Sequence, residues 1–171
     1  MTDRVEDKAG SGASERQQEP SEGAAGGRLD LSAFLPYRLN QAAERVSQRF
    51  ARLYRAEAGL TRPEWRVLAT LGQFGTMTAT EIGRHSAMHK TKVSRAVYSL
   101  ESRHWLTRTP SSADRRVEML ALSPKGRQNY NDLVTIARDF EAALVATLGE
   151  EAAARLRDGL TAIEDKLGPA R

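Results

Sequence analysis

The sequence predicts a mostly α-helical fold with one short β-hairpin, and three observations carry that prediction. Apolar residues recur at steps of three and four over most of the chain, the period of a helix with one buried face. Helix starts are marked by Thr61-Arg62-Pro63-Glu64, Thr78-Ala79-Thr80-Glu81 and Ser123-Pro124, patterns in which a hydroxyl, a carboxylate or a proline suits the first turn. Two short runs, Leu106 to Arg108 and Val117 to Leu122, flank Pro110-Ser111-Ser112-Ala113-Asp114, which is turn chemistry between strands.

In chain order, residues 1–28 read as a low-complexity tail, with five Gly and no aromatic residue. Such a composition buries too little apolar surface to offset its conformational entropy, so a disordered tail is expected. Leu29 to Leu35 reads as a lead-in turn, and Pro36 suits a first helical turn. Leu39, Ala42, Val46, Phe50 and Leu53 then form a stripe, extended backward by Leu35 and Leu31. Gly59 ends that helix, whose polar face carries Arg38, Arg45, Arg49, Arg52 and Arg55. The next helix runs from Thr61 through Trp65, Val67, Leu68 and Leu71 to Phe74, and Gly75 stops it.

Thr78 opens a short helix over Ile82 to Ala87. After a turn near Met88, a second helix runs from His89 or Lys90 to Arg103, with Val93, Val97 and Leu100 on its inner face. Two short helices joined by a tight turn describe a helix-turn-helix, and a hairpin directly after one is a wing. Ser123-Pro124 starts a long helix with the stripe Tyr130, Leu133, Ile136, Phe140 and Leu144. Gly149 breaks it. Leu156, Leu160, Ile163 and Leu167 mark a last helix, stopped by Gly168-Pro169. The expected organisation is therefore a tail (1–28), then one domain (29–171). Within it, residues 61–122 form a winged helix-turn-helix with a two-stranded wing, and residues 29–60 and 123–171 supply dimerisation helices. Those outer helices carry more apolar stripe than one small body can cover. A helical two-fold dimer is the economical solution, and it presents two recognition helices to a palindromic site.

Charge points the same way. From Arg84 to Arg127, ten Lys and Arg stand against three Asp and Glu, a balance of +7 in a chain of net +4. A basic patch concentrated on one pair of elements is the footprint of a nucleic-acid binder. The chain has no cysteine, so disulfides, thiolate metal sites and thiol redox switches are excluded. No apolar run is long enough for a membrane span and no secretory signal is visible, so a cytoplasmic protein is expected. Catalysis would need a nucleophile with an oriented base, a carboxylate pair, a metal motif or a Gly-rich phosphate loop. None is present, so the expectation is a protein that is no enzyme and holds no cofactor or metal. His85 and His89 have ligand spacing, but a turn separates them and removes a shared face.

Lys90, Thr91, Lys92, Ser94 and Arg95 occupy the first turns of the basic helix, the part that enters the major groove in helix-turn-helix proteins. Arg there can bridge guanine O6 and N7. Asp114, Arg115 and Arg116 lie at the wing tip. Asp114 can pair with Arg116 or a neighbouring basic group and can bond its own backbone in the turn, and both can hold together.

These residues resemble the MarR family of winged helix-turn-helix regulators, from about Leu31 to Leu167. The resemblance rests on Gly59-Leu60-Thr61 with Trp65-Arg66-Val67-Leu68, on Lys90-Thr91-Lys92-Val93-Ser94-Arg95, and on Asp114-Arg115-Arg116 followed by Leu120-Ala121-Leu122-Ser123 and Lys125-Gly126-Arg127. It implies an obligate homodimer on double-stranded DNA, a palindromic operator, a wing arginine (Arg116) in the minor groove, and often release by a small phenolic or other aromatic ligand. For that effector it directs attention to Tyr37, Arg38, Asn40, Trp65 and Arg66; a Trp face beside arginines suits a small aromatic acid or its coenzyme A thioester, while Trp65 also reads as core and Arg38 as surface. Two positions depart from the family pattern: His89 stands where Asp is common, and His104 where Gly often ends the recognition helix. The alternative reading is an architectural DNA-binding dimer that ignores small molecules.

Overall fold

A computed structural model describes residues 28–168. The expected tail, apart from Arg28, lies outside the described residues, as does Pro169. The chain divides into two units after Arg38. In the first, the Asp30 carboxylate accepts from the Ser32 N–H (2.9 Å) and hydroxyl (2.7 Å), closing a turn before α1.

The helices are α1 (Leu35–Ala58), α2 (Arg62–Phe74), α3 (Ala79–His85), α4 (Lys90–Ser102), α5 (Pro124–Leu148) and α6 (Glu150–Leu167). The strands are β1 (Met77–Thr78), β2 (Leu106–Pro110) and β3 (Glu118–Leu122). The β2–β3 hairpin pairs antiparallel from Leu106 with Leu122 to Pro110 with Glu118. It is not alone. β1 pairs with the other edge of β3, Met77 opposite Leu120, giving a three-stranded sheet in the order β1-β3-β2. The wing is thereby anchored beside α3, a strand the sequence pattern did not reveal.

The core gathers Val67, Leu68 and Leu71 of α2, Ile82 of α3, Val93, Val97 and Leu100 of α4, Leu106 and Leu120 of the sheet, and Leu133 of α5. α1 joins it along a line that shares Phe50 with the expected stripe but runs through Tyr54 rather than Leu53. Tyr54 is 1% exposed, while Val46 and Leu53 are 37% and 40% exposed. Phe50, Tyr54 and Ala58 lie four residues apart, on one line of the helix. Phe50 and Tyr54 meet edge to face at 5.3 Å, Tyr54 stacks on Trp65 at 5.7 Å, and Phe50 reaches Phe140 of α5 at 5.1 Å. Aromatic rings prefer these geometries because of their quadrupoles.

Both capping boxes form. Glu81 accepts from the Thr78 N–H at 2.8 Å, and the Glu81 N–H donates to the Thr78 hydroxyl at 3.2 Å. Glu64 does more than cap α2. It accepts from the Thr61 N–H (2.6 Å) and hydroxyl (2.7 Å), and also from the Ser99 hydroxyl of α4. Its burial disfavours the charged form, but the bonds from Ser99 and Thr61 outweigh this and hold its pKa below the usual carboxylate value. One buried carboxylate thus fixes the start of α2 against the middle of α4.

The junction of α4 with α5 is equally tight. His104 adopts φ 61°, so it performs the left-handed turn usually given to Gly. Its carbonyl accepts from the Ser123 hydroxyl at 2.7 Å, and that oxygen accepts from the Gly126 N–H at 3.0 Å, capping α5. A Cβ at Gly126 would stand 1.9 Å from the Trp105 carbonyl oxygen. Trp105 is buried and its carbonyl also accepts from the Ser123 N–H at 3.0 Å, so it has no room to withdraw. Gly126→Ala is therefore expected to destabilise the fold by about 3 kcal/mol, the upper range for overpacking. Thermal unfolding followed by circular dichroism should show a Tm lower by roughly 10 °C; an unchanged Tm would contradict this junction.

Candidate nucleic-acid interface

α3 and α4 are joined by Ser86 to His89, with Ala87 at φ 50°. His89 is the N-cap of α4 in extended conformation (φ −69°, ψ 149°), without a side-chain cap bond. The departure from Asp at this position therefore leaves the turn intact but removes a capping acceptor. It also removes a negative charge, and the first turn of α4 holds no acidic residue. Val93, Ala96, Val97 and Leu100 anchor the helix in the core. That anchoring turns Lys90, Thr91, Lys92, Ser94 and Arg95 outward, all exposed.

Two further contacts fix the orientation of this helix. Ser99 is held by Glu64, as above. At the other end, the Arg103 guanidinium donates to the Ala58 carbonyl (2.8 Å) and the Gly59 carbonyl (3.1 Å), and lies 5.6 Å over the Trp105 ring. A cation on the last carbonyls of α1 is favoured by the helix dipole. The recognition helix is thus tied directly to the end of α1. No local motif signals this contact, because the partners are more than forty residues apart.

At the wing tip, Asp114 settles into the turn. Its carboxylate accepts from the Arg116 N–H at 2.9 Å, its carbonyl accepts from the Val117 N–H at 2.9 Å, and the Val117 carbonyl accepts from the Ser111 N–H at 2.8 Å. Of the two open roles for Asp114, the backbone bond is the one present. Arg115 and Arg116 are exposed beside it. The two other acidic residues of the region share one cation: Arg108 bonds Glu101 at 3.1 Å and also Glu118. These two bonds, to Glu101 and then Glu118, hold the Arg108 pKa above its ordinary value. They also brace the base of the wing against α4. Among the described residues, Lys90, Lys92, Arg95, Arg115 and Arg116 form no ion pair.

His85 stacks on Phe74, ring centroids 4.6 Å apart, on the far side of the α3–α4 turn from His89. Among the effector candidates, Trp65 is taken up by the aromatic cluster with Phe50 and Tyr54. Arg66 points to the end of α3 and donates to the Ser86 carbonyl at 3.2 Å. Asn40 is exposed on α1; Tyr37 and Arg38 are exposed in its first turns. No helix among the described residues is long and apolar enough to cross a membrane.

With this geometry in place, comparison with known proteins is specific. The MarR family model matches residues 60–117, the stretch from the end of α1 to the wing. The chain is 34% identical to the MarR family transcriptional regulator SPO1453 from Silicibacter pomeroyi, covering 82% of this chain and 99% of that one with a TM-score of 0.72. It is 30% identical to the transcriptional repressor CouR, solved bound to a 23-mer DNA duplex, covering 78% and 94% with a TM-score of 0.70. It is 27% identical over 104 residues to the HTH-type transcriptional repressor IacR of Pseudomonas putida, a match over 61% of this chain and 62% of that one. The chain thus spans less than two thirds of that curated relative. A relative matched over almost its whole length, the family model over the winged unit, and an exposed basic helix braced to its wing agree: the chain belongs to the MarR family of transcriptional regulators.

Proposed function

We propose that this regulator binds one palindromic operator as a homodimer and represses transcription by occupying it. The observation that carries this reading is the set of outward, unpaired cations on the first turns of α4 beside Arg115 and Arg116 of the wing. Lys90 and Lys92 hold phosphates; Thr91, Ser94 and Arg95 face base edges in the major groove. Arg116, aimed by the Asp114 turn, enters the minor groove, and Arg115 rides on the adjacent backbone. The DNA-bound state of the 30% identical CouR supports this use of the fold. The winged unit (61–122) reads DNA, and the helices on either side of it pair the two copies.

The effector in this reading is a small aromatic acid or its coenzyme A thioester, acting at Arg66. Among the described residues, the one hydrogen bond of the Arg66 guanidinium goes to a neutral carbonyl, Ser86, at the α3–α4 turn. A carboxylate or phosphate makes a stronger, charge-assisted bond and competes for it. Releasing Ser86 frees the turn that carries α4, so ligand and operator favour different conformations, which is what coupling requires. The test is selection of bound duplex from random fragments, repeated with such acids and thioesters. The expected product is one palindrome with half-sites one helical turn apart, about 34 Å, whose complex is weakened by a compound of this class. Binding without sequence preference, indifferent to every compound at about millimolar, would replace this reading with the architectural one.

A further inference from the structure

At about 100° per residue, Thr91, Arg95, Tyr98 and Ser102 fall along one line of α4, opposite the buried Val93, Ala96, Val97 and Leu100. Charge draws attention to Arg95 on that line and away from Tyr98. Yet Tyr98 is 71% exposed. Among the described residues its hydroxyl makes no hydrogen bond and its ring meets no other aromatic ring. Its backbone is ordinary helix, its carbonyl accepting from the Ser102 hydroxyl at 2.9 Å. An aromatic side chain left in water contributes nothing to this core. It gains only if something covers it.

The position says what does. With a rise of about 1.5 Å per residue, Tyr98 stands about 4.5 Å along α4 from Arg95, close to one base step of about 3.4 Å. The one carboxylate on α4, Glu101, is bonded to Arg108, a cation it shares with Glu118. The apolar group that major-groove base edges offer is the C5-methyl of thymine. We propose that Tyr98 is a specificity-determining residue. Its ring packs on the methyl of a thymine one step from the base pair read by Arg95, in each half-site. The inference rests on the DNA-reading role of α4 proposed above.

The experiment uses the full chain and its selected operator, with each thymine replaced in turn by deoxyuridine, which removes only the methyl group. The wild-type chain should lose about fourfold affinity per half-site at one thymine, the size expected for one methyl group returned to water. Tyr98→Ala should bind the unmodified operator at least about fourfold more weakly per half-site and be indifferent to that replacement. Tyr98→Phe should match wild type in both respects. The exposed position predicts an unchanged Tm for both variants. Tyr98→Ala that keeps the deoxyuridine sensitivity would overturn the inference. So would Tyr98→Phe that binds as weakly as Tyr98→Ala, because the hydroxyl would then be serving a phosphate. In both cases sequence-selective binding by the wild-type chain leaves the function reading standing. A wild-type chain that selects no sequence overturns that reading and this inference together.

Discussion

Replacing Arg95 with alanine is expected to weaken operator binding by about 1–3 kcal/mol per half-site and to relax preference at one base position. In a two-fold complex the same loss occurs twice, so the total reaches about 2–6 kcal/mol for well-separated contacts. The argument is geometric. Arg95 is exposed on a helix whose opposite face is locked by Val97 and Leu100, by Ser99 on Glu64 and by Arg103 on the end of α1. A guanidinium on so rigid a support loses little freedom when it bridges guanine O6 and N7, and no carboxylate among the described residues competes for it. Arg116→Ala should also weaken binding, but more evenly across sequences. A narrow minor groove attracts arginine through its potential rather than through a unique pattern of donors and acceptors. If its main partner is phosphate, the slope of affinity against salt falls by about one unit. The measurement is affinity of each variant for the operator and its single-base variants, across a salt series. Variants that both bind like wild type would reduce the basic stretch to a solvated face. A larger change in base preference from Arg116→Ala than from Arg95→Ala would exchange the roles of helix and wing.

What could be read in the sequence was local, and what escaped it was not. Thr61 with Glu64, Thr78 with Glu81, and Ser123 with Gly126 each set a helix start through contacts three residues apart. Gly59, Gly75 and Gly149 have positive φ where the helices end. β1 was missed because two residues have no period, and only pairing with Met119 and Leu120, some forty positions away, makes them a strand. Tyr54 lies outside the stripe of three- and four-residue steps that runs through Val46, Phe50 and Leu53. Which of two adjacent faces a helix buries depends on its neighbours, here Trp65 and Phe140. At the interface, charge identified the cations but not how they are aimed. Glu64 to Ser99 and Arg103 to Ala58 span 35 and 45 residues, and no short motif announces such a pair. Tyr98 carries no charge, so the charge pattern does not mark it.

Deleting residues 150–171 is expected to leave a chain that aggregates or fails to fold cooperatively, and the reason lies in how little α6 gives to its own copy. Its one buried residue is Ala153. Leu156, Leu160 and Leu167 are 47%, 45% and 79% exposed, and Leu148 at the end of α5 is 43% exposed. On α1, Val46 is exposed too, and with Arg45, Arg49, Phe140 and Leu144 it lines an open groove of about 240 Å³ against α5. Apolar side chains at steps of three and four are costly to leave in water along a whole helix, at about 25 cal/mol for each Å². The two readings therefore diverge sharply. If the chain acts alone, α6 is nearly dispensable, since the core from Val67 to Leu133 contains none of it except through Ala153. If a second copy covers these faces, removing α6 strips apolar cover from both copies and exposes α1 and α5 to solvent. Sedimentation and thermal unfolding of the truncated and full chains decide between them. The full chain should sediment as a dimer with a concentration-dependent Tm. A truncated chain that stays soluble, monomeric and cooperatively folded would remove α6 from the interface, and with it the two-fold symmetry on which a palindromic operator depends.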